Sequence, residues 1–309
     1  MSVRLFPVIL ALILAILVAG CSDDDECPTC PEGSDDPVPT FANIWPHADG
    51  NAWTYDLQNI GYEGDPSDQV EPGEPIPDLP SMDELHARLT VPIDNEIRGS
   101  SEGAYRLFFD GDITTEAGVT AQYLRDETFS SDGLLVSPPT TDYALPKDIG
   151  DDPNRPFLLS GYAFAATDTG HFGYFASGTD YRWIYLTESL DVGQEFSIRF
   201  YDGQEPQQDN WLHGRVYGIG DLEIQGHTYR NCVECFYVVD WGATEVIDEH
   251  GNVLAEGRPY TYGSIYYAPT FGPVTCHERA HFLSDSLLEN GPGILETKVE
   301  ISGLQITWP

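Results

Sequence analysis

Five residues near the C-terminal end of the chain, His277-Glu278-Arg279-Ala280-His281, match the H-E-x-x-H pattern of zinc peptidases. On a helix, side chains four apart share one face about 6 Å along the axis, so both imidazoles can bind one zinc ion while the glutamate activates its water. On a strand the two histidines lie about 13 Å apart, beyond joint ligation. The motif therefore predicts a peptidase, with His277 and His281 as zinc ligands and Glu278 as base, only if it is helical.

Sequence alternation around the motif favours a strand. The apolar members of the alternation are Val274, Cys276, Ala280 and Phe282. Polar residues lie between them and only Glu278 falls out of step, which is typical of a half-buried strand. Thr275 and Glu278 have the spacing of a capping box, which supports the helical alternative. We predict a strand, with Cys276 and Phe282 directed inward and the two histidines exposed to solvent and far apart.

Two Cys-x-x-Cys pairs have the spacing of zinc knuckles, Cys27–Cys30 and Cys232–Cys235, and Cys276 with His277 could complete the second. A knuckle needs tight turns around its cysteines. The first pair lies in an acidic stretch and the second in an apolar, strand-like run. These surroundings do not favour a structural zinc site.

A calcium site is the other metal alternative. The segment Asp110-Gly111-Asp112, followed by Glu116, faintly resembles a calcium loop but lacks the glycine and the spacing of an EF-hand. We expect an ordinary Asp-Gly turn there. The sequence therefore predicts no cofactor, with zinc or calcium as the alternative.

The first twenty residues, MSVRLFPVILALILAILVAG, have the form of an export signal. One charge, Arg4, precedes an apolar run from Leu5 to Ala19, which is shorter than the ~20 residues that span a bilayer comfortably. The residues Val18–Cys21 resemble the lipobox of bacterial lipoproteins, in which the signal is cleaved before the cysteine. We therefore predict a lipoprotein signal peptide over residues 1–20 and a lipidation site at Cys21, which would carry acyl chains such as palmitate.

Residues 21–40 are predicted to be an acidic, flexible tether. After the cysteine this stretch reads SDDDECPTCPEGSDDPVPT, which is too polar and too rich in proline to bury a core. Ser22, in place of an aspartate, fits sorting to the outer membrane in Gram-negative bacteria. We predict an exported protein whose partner is the membrane, anchored by lipid to the cell envelope, at the outer membrane.

Charge and composition limit the function classes. The formal net charge of −37 at pH 7 excludes nucleic acid as a partner. An anionic membrane surface would repel the chain too, so the lipid must hold it there. The aromatic content, 6 Trp, 17 Tyr and 14 Phe, favours strands, and 30 Gly and 23 Pro indicate many turns.

Alternating aromatic and β-branched runs recur along the chain. They are Asn51–Leu57, Ala104–Phe109, Tyr181–Leu186, Glu195–Tyr201, Cys232–Trp241 and Thr261–Tyr267. This pattern predicts an all-β fold, either an antiparallel sandwich or an open, curved barrel-like sheet. The β domain is expected to cover residues 41–309, with two related halves at 41–150 and 158–309.

Three interruptions of the strand pattern are expected. Helical spacing appears around Ser81–Leu89. Residues 61–84 are acidic and proline-rich and are predicted to be a loop. A second long loop, residues 137–157, is predicted to separate the two halves.

Three segments resemble motifs of uncharacterised β-rich bacterial lipoproteins. Phe41–Leu57 contains the G-N-x-W-T-Y form, Gly220–Val233 the I-x-G-x-x-Y-x-N/D-C form, and Tyr266–Val274 the Y-A-P-G-x-G-x-V form. The third segment departs from the family at Thr270-Phe271, where the motif has Gly-x. The resemblance implies a β-rich exported domain and carries over no catalytic residues.

Five cysteines remain if Cys21 is acylated: Cys27, Cys30, Cys232, Cys235 and Cys276. Thiols of exported proteins usually pair. Cys235 and Cys276 are both expected on core-facing sides of strands, so a disulfide between them is the first prediction. Pairing of Cys232 with Cys276 is the alternative, and Cys27 with Cys30 would form a local bridge.

The sequence favours a non-catalytic β domain that binds a ligand or supports the envelope. A curved aromatic sheet could bind a carbohydrate or a lipid, although most of its rings are expected in the core. The candidate contacts are Trp183, Tyr185, Trp211, Tyr260 and Tyr262. The alternatives are the zinc peptidase and a lipid carrier whose sheet encloses an apolar cavity.

Overall fold

A computed structural model describes residues 37–115, 118–137, 155–160, 163–174, 182–199, 210–248, 250–283 and 292–307. Its strands are β1 Ala52–Glu63, β2 Gln69–Val70, β3 Ile97–Thr114, β4 Thr120–Ser130, β5 Leu135–Ser137, β6 Ala163–Thr167, β7 Gly170–Tyr174, β8 Arg182–Thr187, β9 Glu195–Arg199, β10 Trp211–Ile224, β11 His227–Asp240, β12 Thr244–Ile247, β13 Val253–Gly257, β14 Tyr260–Ala268, β15 Gly272–Phe282 and β16 Gly293–Gln305. A 3-10 turn spans Pro66–Asp68 and helix α1 spans Met82–Leu89. Within the described ranges, no helix is long and apolar enough to cross a membrane.

The strands form one large sheet and one small one. The large sheet runs β8-β7-β6-β4-β3-β1-β16-β15-β14-β11-β10-β9, with β5 paired to β4. Every strand pairing in it is antiparallel, and the sheet curves into a nearly closed, barrel-like form. Strands β12, β13 and β2 form the small sheet. The all-β prediction is confirmed in its curved, barrel-like version.

Where the structure describes them, the predicted strand runs lie inside β1, β3, β8, β9, β11 and β14 apart from at most one residue at an end, and β1, β3 and β11 extend several residues beyond the predicted runs. The predicted loop over residues 61–84 is wrong in part. Strand β1 continues to Glu63 because Tyr62 is buried and pairs with Ile294 of β16. Most of the second predicted loop, residues 138–154, lies outside the described residues.

The predicted Asp-Gly turn at Asp110-Gly111 is also wrong. These residues lie inside β3, where the ladder to β4 shifts register between Phe109 and Asp112. Gly111 has a φ of 75°, a left-handed conformation that glycine adopts without strain. The segment is therefore a β-bulge that bends a continuous strand.

Helix α1 is confirmed where the sequence predicted it. Ser81 is the N-cap residue: its side chain accepts from the Glu84 N–H, and the Glu84 carboxylate accepts from the Ser81 N–H, which completes a capping box. Leu85 and Leu89 are buried against the outer side of the sheet. Their partners there include Phe236, Val238, Tyr260 and Tyr262. The helix therefore covers part of the outer face.

The inside of the curved sheet is filled by aromatic side chains. The largest buried ones there are Trp45, Trp53, Tyr55, Tyr105, Phe109, Phe164, Trp183, Tyr185, Tyr237 and Tyr267. Residues 155–160 also enter this core, where the Tyr105 hydroxyl donates to the Leu159 carbonyl and the Tyr185 hydroxyl to the Ser160 carbonyl. A lipid would need this space, so the packing does not favour the lipid-carrier alternative.

In the turn between β14 and β15, a threonine adopts the left-handed backbone conformation that usually requires glycine. Thr270 has a φ of 72°, and its N–H donates to the Asn43 carbonyl at 2.6 Å. A left-handed conformation costs an L-residue about 1–2 kcal/mol, and the branched Cβ of threonine fits it poorly. This is the position where the resembling lipoproteins have glycine.

We expect Thr270→Gly to raise the free energy of unfolding by about 0.5–1 kcal/mol, because relief of strain exceeds the entropy that glycine adds to the unfolded chain. Urea denaturation followed by tryptophan fluorescence measures this change. Thr228→Gly, at an exposed and extended position of β11, is the matched control and should lower stability instead. A loss of stability in both variants would show that the turn is not strained.

The predicted disulfides between described cysteines are wrong. Cys235 and Cys276 both face the core, as expected, but β14 lies between their strands. The register places Cys235 beside Ile265, and Ile265 beside Cys276. Two strand spacings separate their Cα atoms by about 10 Å, whereas a disulfide requires less than ~7 Å.

Cys232, Cys235 and Cys276 are therefore free, buried thiols. Burial raises the pKa of Cys232 and of Cys235 to about 12, so both stay protonated at neutral pH. Cys21, Cys27 and Cys30 lie outside the described residues.

Candidate functional site

The H-E-x-x-H residues lie on strand β15, and the predicted strand is confirmed. Side chains alternate between the two faces of a strand. Glu278 consequently faces the interior with Cys276, while His277 and His281 face outward. Four residues of strand separate the two imidazoles by about 13 Å. This geometry does not provide the shared face that a zinc ion and its glutamate base require.

The prediction that the histidines are exposed to solvent is wrong. The side chains of His277 and His281 are only 24% and 12% exposed. His281 stacks on Tyr260 with ring centres 4.4 Å apart, and its Nδ1 lies 3.6 Å from the Asp68 carboxylate. They are covered because α1 and the segments beside it pack on the outer face of the sheet. Among the inward residues, Cys276 is buried and Phe282 is half-buried.

Glu278 is an interior carboxylate that binds backbone. Its two oxygens accept hydrogen bonds from the N–H groups of Phe157 at 2.6 Å and Leu158 at 2.8 Å. Burial raises the pKa of Glu278 to about 7, and the two backbone donors act in the opposite direction. The residue thereby attaches the segment 155–160 to the inside of the sheet. Its role in this structure is positional.

A second buried carboxylate, Glu296, organises the outer face. Arg279 donates to its Oε1 from Nε at 2.9 Å and from Nη2 at 2.7 Å, and His277 Nε2 lies 2.9 Å from the same oxygen. The Lys298 ammonium lies 3.4 Å from Oε2. Burial alone would raise the pKa of Glu296, but the hydrogen bonds from His277 and Arg279 outweigh it and hold the pKa well below its usual range.

Arg279 also fixes the end of helix α1. Its Nη1 donates to the Arg88 carbonyl at 2.7 Å and its Nη2 to the Val91 carbonyl at 2.9 Å. Carbonyls at a helix C-terminus lack partners within the helix, so a buried guanidinium satisfies them well. One side chain of β15 therefore holds the helix end, the following chain and Glu296 together.

A surface pocket of about 390 Å³ lies beside Arg279, and we call it the helix pocket. Its buried or half-buried floor consists of Tyr262, Arg279, His281 and Ile294. Its wall and rim consist of Ala87, Arg88, Val91, Pro92, Ile93, Asp94 and Asn95. The Asn95 amide donates to the Glu63 carbonyl at 2.7 Å, which ties the rim to the end of β1. The volume is within the range of small-molecule sites.

The predicted aromatic contacts occupy different places. Trp183 and Tyr185 are buried inside the sheet, and Tyr260 is buried under α1. Trp211 is 36% exposed and stacks on His213, with ring centres 6.0 Å apart. Tyr262 lines the floor of the helix pocket. The structure therefore brings Tyr262 together with two residues of the H-E-x-x-H motif, Arg279 and His281.

The sequence does not predict the other residues of the helix pocket. Arg279 is a variable position of the motif, and its role comes from the helix end that lies on it. Pro92 does signal a helix end in sequence, because proline disfavours helical backbone before it. Nothing local, however, indicates that residues 88–95 lie over β15.

Among the described residues, no group of three or more His, Cys, Asp or Glu side chains is placed to hold a metal ion. Asp110, from the calcium alternative, lies 2.9 Å from the Arg125 guanidinium. Glu116 lies outside the described residues.

No protein-family model matches the chain, and no curated protein matches it. Two solved structures are similar to it over 85% of its length and 99% of theirs, each with a TM-score of 0.32. One is provisionally described as a lipoprotein from Parabacteroides distasonis, at 11% identity. The other is provisionally described as an exported protein with a YmcC-like fold from Bacteroides fragilis, at 10% identity. A likeness at this level carries no conclusion about activity.

Proposed function

We propose that this protein is an exported, lipid-anchored β domain of the cell envelope that binds a small ligand without catalysing a reaction. The observation that carries the proposal is the helix pocket, whose floor combines Tyr262, Arg279, His281 and Ile294. Concave sites that mix apolar walls with a few fixed polar groups are typical of ligand binding. The arginine in the floor is fixed by four hydrogen bonds, so the pocket is pre-formed.

The non-catalytic part of the proposal is supported by how the titratable residues are used. His277 and Arg279 are committed to Glu296, and Glu278 binds backbone on the opposite face of the sheet. A general base must lie within hydrogen-bonding reach of a substrate proton. None of these three groups has that freedom in the described structure.

The anchored part rests on the N-terminal sequence, where a short apolar run ends at Val18-Ala19-Gly20-Cys21. Acylation of Cys21 would hold the domain at a membrane despite its charge of −37. The predicted acidic tether, residues 21–40, would link the anchor to the domain. An outer-membrane position follows from Ser22.

Metabolic labelling with an alkyne analogue of palmitate tests the anchor. The full-length protein is expected to take up the label and to fractionate with outer membranes, whereas Cys21→Ala should remain unlabelled. Cys232→Ala is the matched control and should be labelled like the wild type. Label that persists in Cys21→Ala would contradict the lipidation site.

Occupation of the helix pocket is tested with a steric variant. Ala87 lies on the exposed side of α1 and lines the pocket, so Ala87→Phe should fill it without removing a hydrogen bond. Thermal-shift screening of a small-molecule library against the detergent-solubilised full chain should give compounds that stabilise the wild type but not this variant. If every stabilising compound acts equally on both proteins, binding in the pocket is refuted.

A further inference from the structure

The lining of the helix pocket is divided into an apolar part and a polar part. Val91, Pro92, Ile93 and Ile294 supply aliphatic surface, and Tyr262 contributes an aromatic ring. Arg88, Asp94 and Asn95 supply donors and acceptors at the rim. A ligand that fits must therefore present a compact apolar face on one side and several polar groups on the other.

The cation in the floor is already neutralised. The Arg279 guanidinium makes charge-assisted bonds to Glu296 at 2.7 and 2.9 Å, and His281 lies 3.6 Å from Asp68. At the rim, Arg88 and Asp94 carry opposite charges. Around the pocket the chain has a formal charge of −37, which repels anions at long range. An anionic ligand is therefore disfavoured.

A cationic ligand is disfavoured for a different reason. It would have to lie against the guanidinium of Arg279, which presents donors and no acceptor. One carboxylate, Asp94, would remain to oppose it. The lining therefore favours a neutral ligand.

The rim groups match adjacent hydroxyls. Asp94 accepts, Arg88 donates, and the Asn95 amide, which is fixed by its bond to the Glu63 carbonyl, can do both. A hydroxyl both donates and accepts, so neighbouring hydroxyls can satisfy this set together. The C–H face of a sugar ring would cover the aliphatic wall, and about 390 Å³ accommodates one or two rings.

We infer that the helix pocket binds a neutral saccharide of one or two rings, with Asp94, Asn95 and Arg88 on its hydroxyls. This inference rests on the proposed function, because it specifies the ligand class of the same pocket. It assigns Asp94 the main discriminating role, because a carboxylate that accepts from a hydroxyl makes a strong, charge-assisted hydrogen bond.

The test uses the detergent-solubilised full chain and isothermal titration calorimetry. The probes are glucose, galactose, mannose, N-acetylglucosamine and their β-linked disaccharides, with glucuronate and hexanoate as anionic counterparts. At least one neutral sugar is expected to bind. Its affinity should fall about tenfold or more in Asp94→Ala and be lost in Ala87→Phe. Asp168→Ala, in the exposed turn between β6 and β7, is the matched control and should bind like the wild type.

The outcomes distinguish failure of the saccharide inference from failure of the proposed function. If hexanoate or glucuronate binds, is lost in Ala87→Phe, and no neutral sugar binds, the saccharide inference is overturned while the proposed function stands. A sugar that binds equally to wild type, Asp94→Ala and Ala87→Phe occupies another place and overturns the inference as well. If no probe and no library compound distinguishes Ala87→Phe from wild type, both proposals fail. Circular dichroism of each variant confirms that it is folded.

Discussion

Replacing Arg279 with methionine is expected to lower the free energy of unfolding by about 3–5 kcal/mol, the cost of leaving one member of a buried ion pair alone. The Arg279 and Glu296 side chains are each 5% exposed, and the two pair at 2.7 Å. The substitution also removes the donors to the Arg88 and Val91 carbonyls, so the end of α1 loses its attachment. Methionine keeps most of the aliphatic stem, which limits the cavity.

A double-mutant cycle identifies the cause of this loss. Glu296→Gln removes the charge of the acid, so Arg279→Met combined with Glu296→Gln should cost less than the sum of the two single changes. Arg106→Met is the matched control. Arg106 is 41% exposed and lies 3.3 Å from Glu127, and such surface pairs contribute about 0–1 kcal/mol. Urea denaturation measures the wild type and all four variants, and equal losses in Arg279→Met and Arg106→Met would refute the stabilising role of Arg279.

The same variants should change His277. Burial lowers the pKa of this histidine, and its hydrogen bond to Glu296 acts in the opposite direction. When Arg279 is absent, its positive charge no longer offsets the negative charge of Glu296. The protonated form of His277 is then more strongly stabilised by Glu296. Titration by NMR is therefore expected to show a higher pKa for His277 in Arg279→Met than in the wild type.

Glu278→Gln is expected to remove a pH dependence of stability worth about 3 kcal/mol. The pKa of Glu278 rises from 4.5 to about 7 on folding, and each unit corresponds to about 1.4 kcal/mol. Between these values the native state holds a proton that the unfolded chain releases. Stability is therefore full below pH 4.5 and falls as the pH rises towards 7 and above.

Other buried groups change the stability with pH in the opposite direction. The stability of the wild type must therefore be compared with that of Glu278→Gln at each pH. Burial lowers the pKa of His171 to about 3, which reduces stability as the pH falls below 6.5. The difference in unfolding free energy between wild type and Glu278→Gln cancels this contribution. The wild type should therefore lose about 3 kcal/mol of stability relative to Glu278→Gln between pH 4.5 and pH 8. A constant difference over this range would show that Glu278 does not titrate there.

Local sequence was sufficient to predict helix α1 and the strands β1, β3, β8, β9, β11, β14 and β15. Alternation of apolar and polar residues identified β15 although it carries an H-E-x-x-H match, because a period of two excludes a shared helical face. The capping pair Ser81 and Glu84 begins α1 at the expected residue. The alternation and the capping pair each involve residues only a few positions apart, so local backbone geometry is enough to select a strand or a helix.

Charge and hydropathy along the sequence also predict how the protein is exported and anchored. The predicted signal and the lipidation site at Cys21 remain predictions from the N-terminal pattern. Thr270 lies where the resembling motif has glycine, and its φ of 72° lies in the left-handed region that glycine adopts without strain.

Only the tertiary structure decided which residues meet. Alternation assigns a side chain to a face, but it does not reveal what covers that face or which strand lies alongside. Thus the His281 imidazole lies 3.6 Å from the carboxylate of Asp68, more than two hundred residues earlier in the chain. Ile265 on β14 separates Cys235 from Cys276. Glu278 binds the backbone of Phe157 and Leu158, over a hundred residues away. These contacts depend on strand order and register across distant parts of the chain, and that is why two residues of the motif, Arg279 and His281, became part of the floor of a pocket.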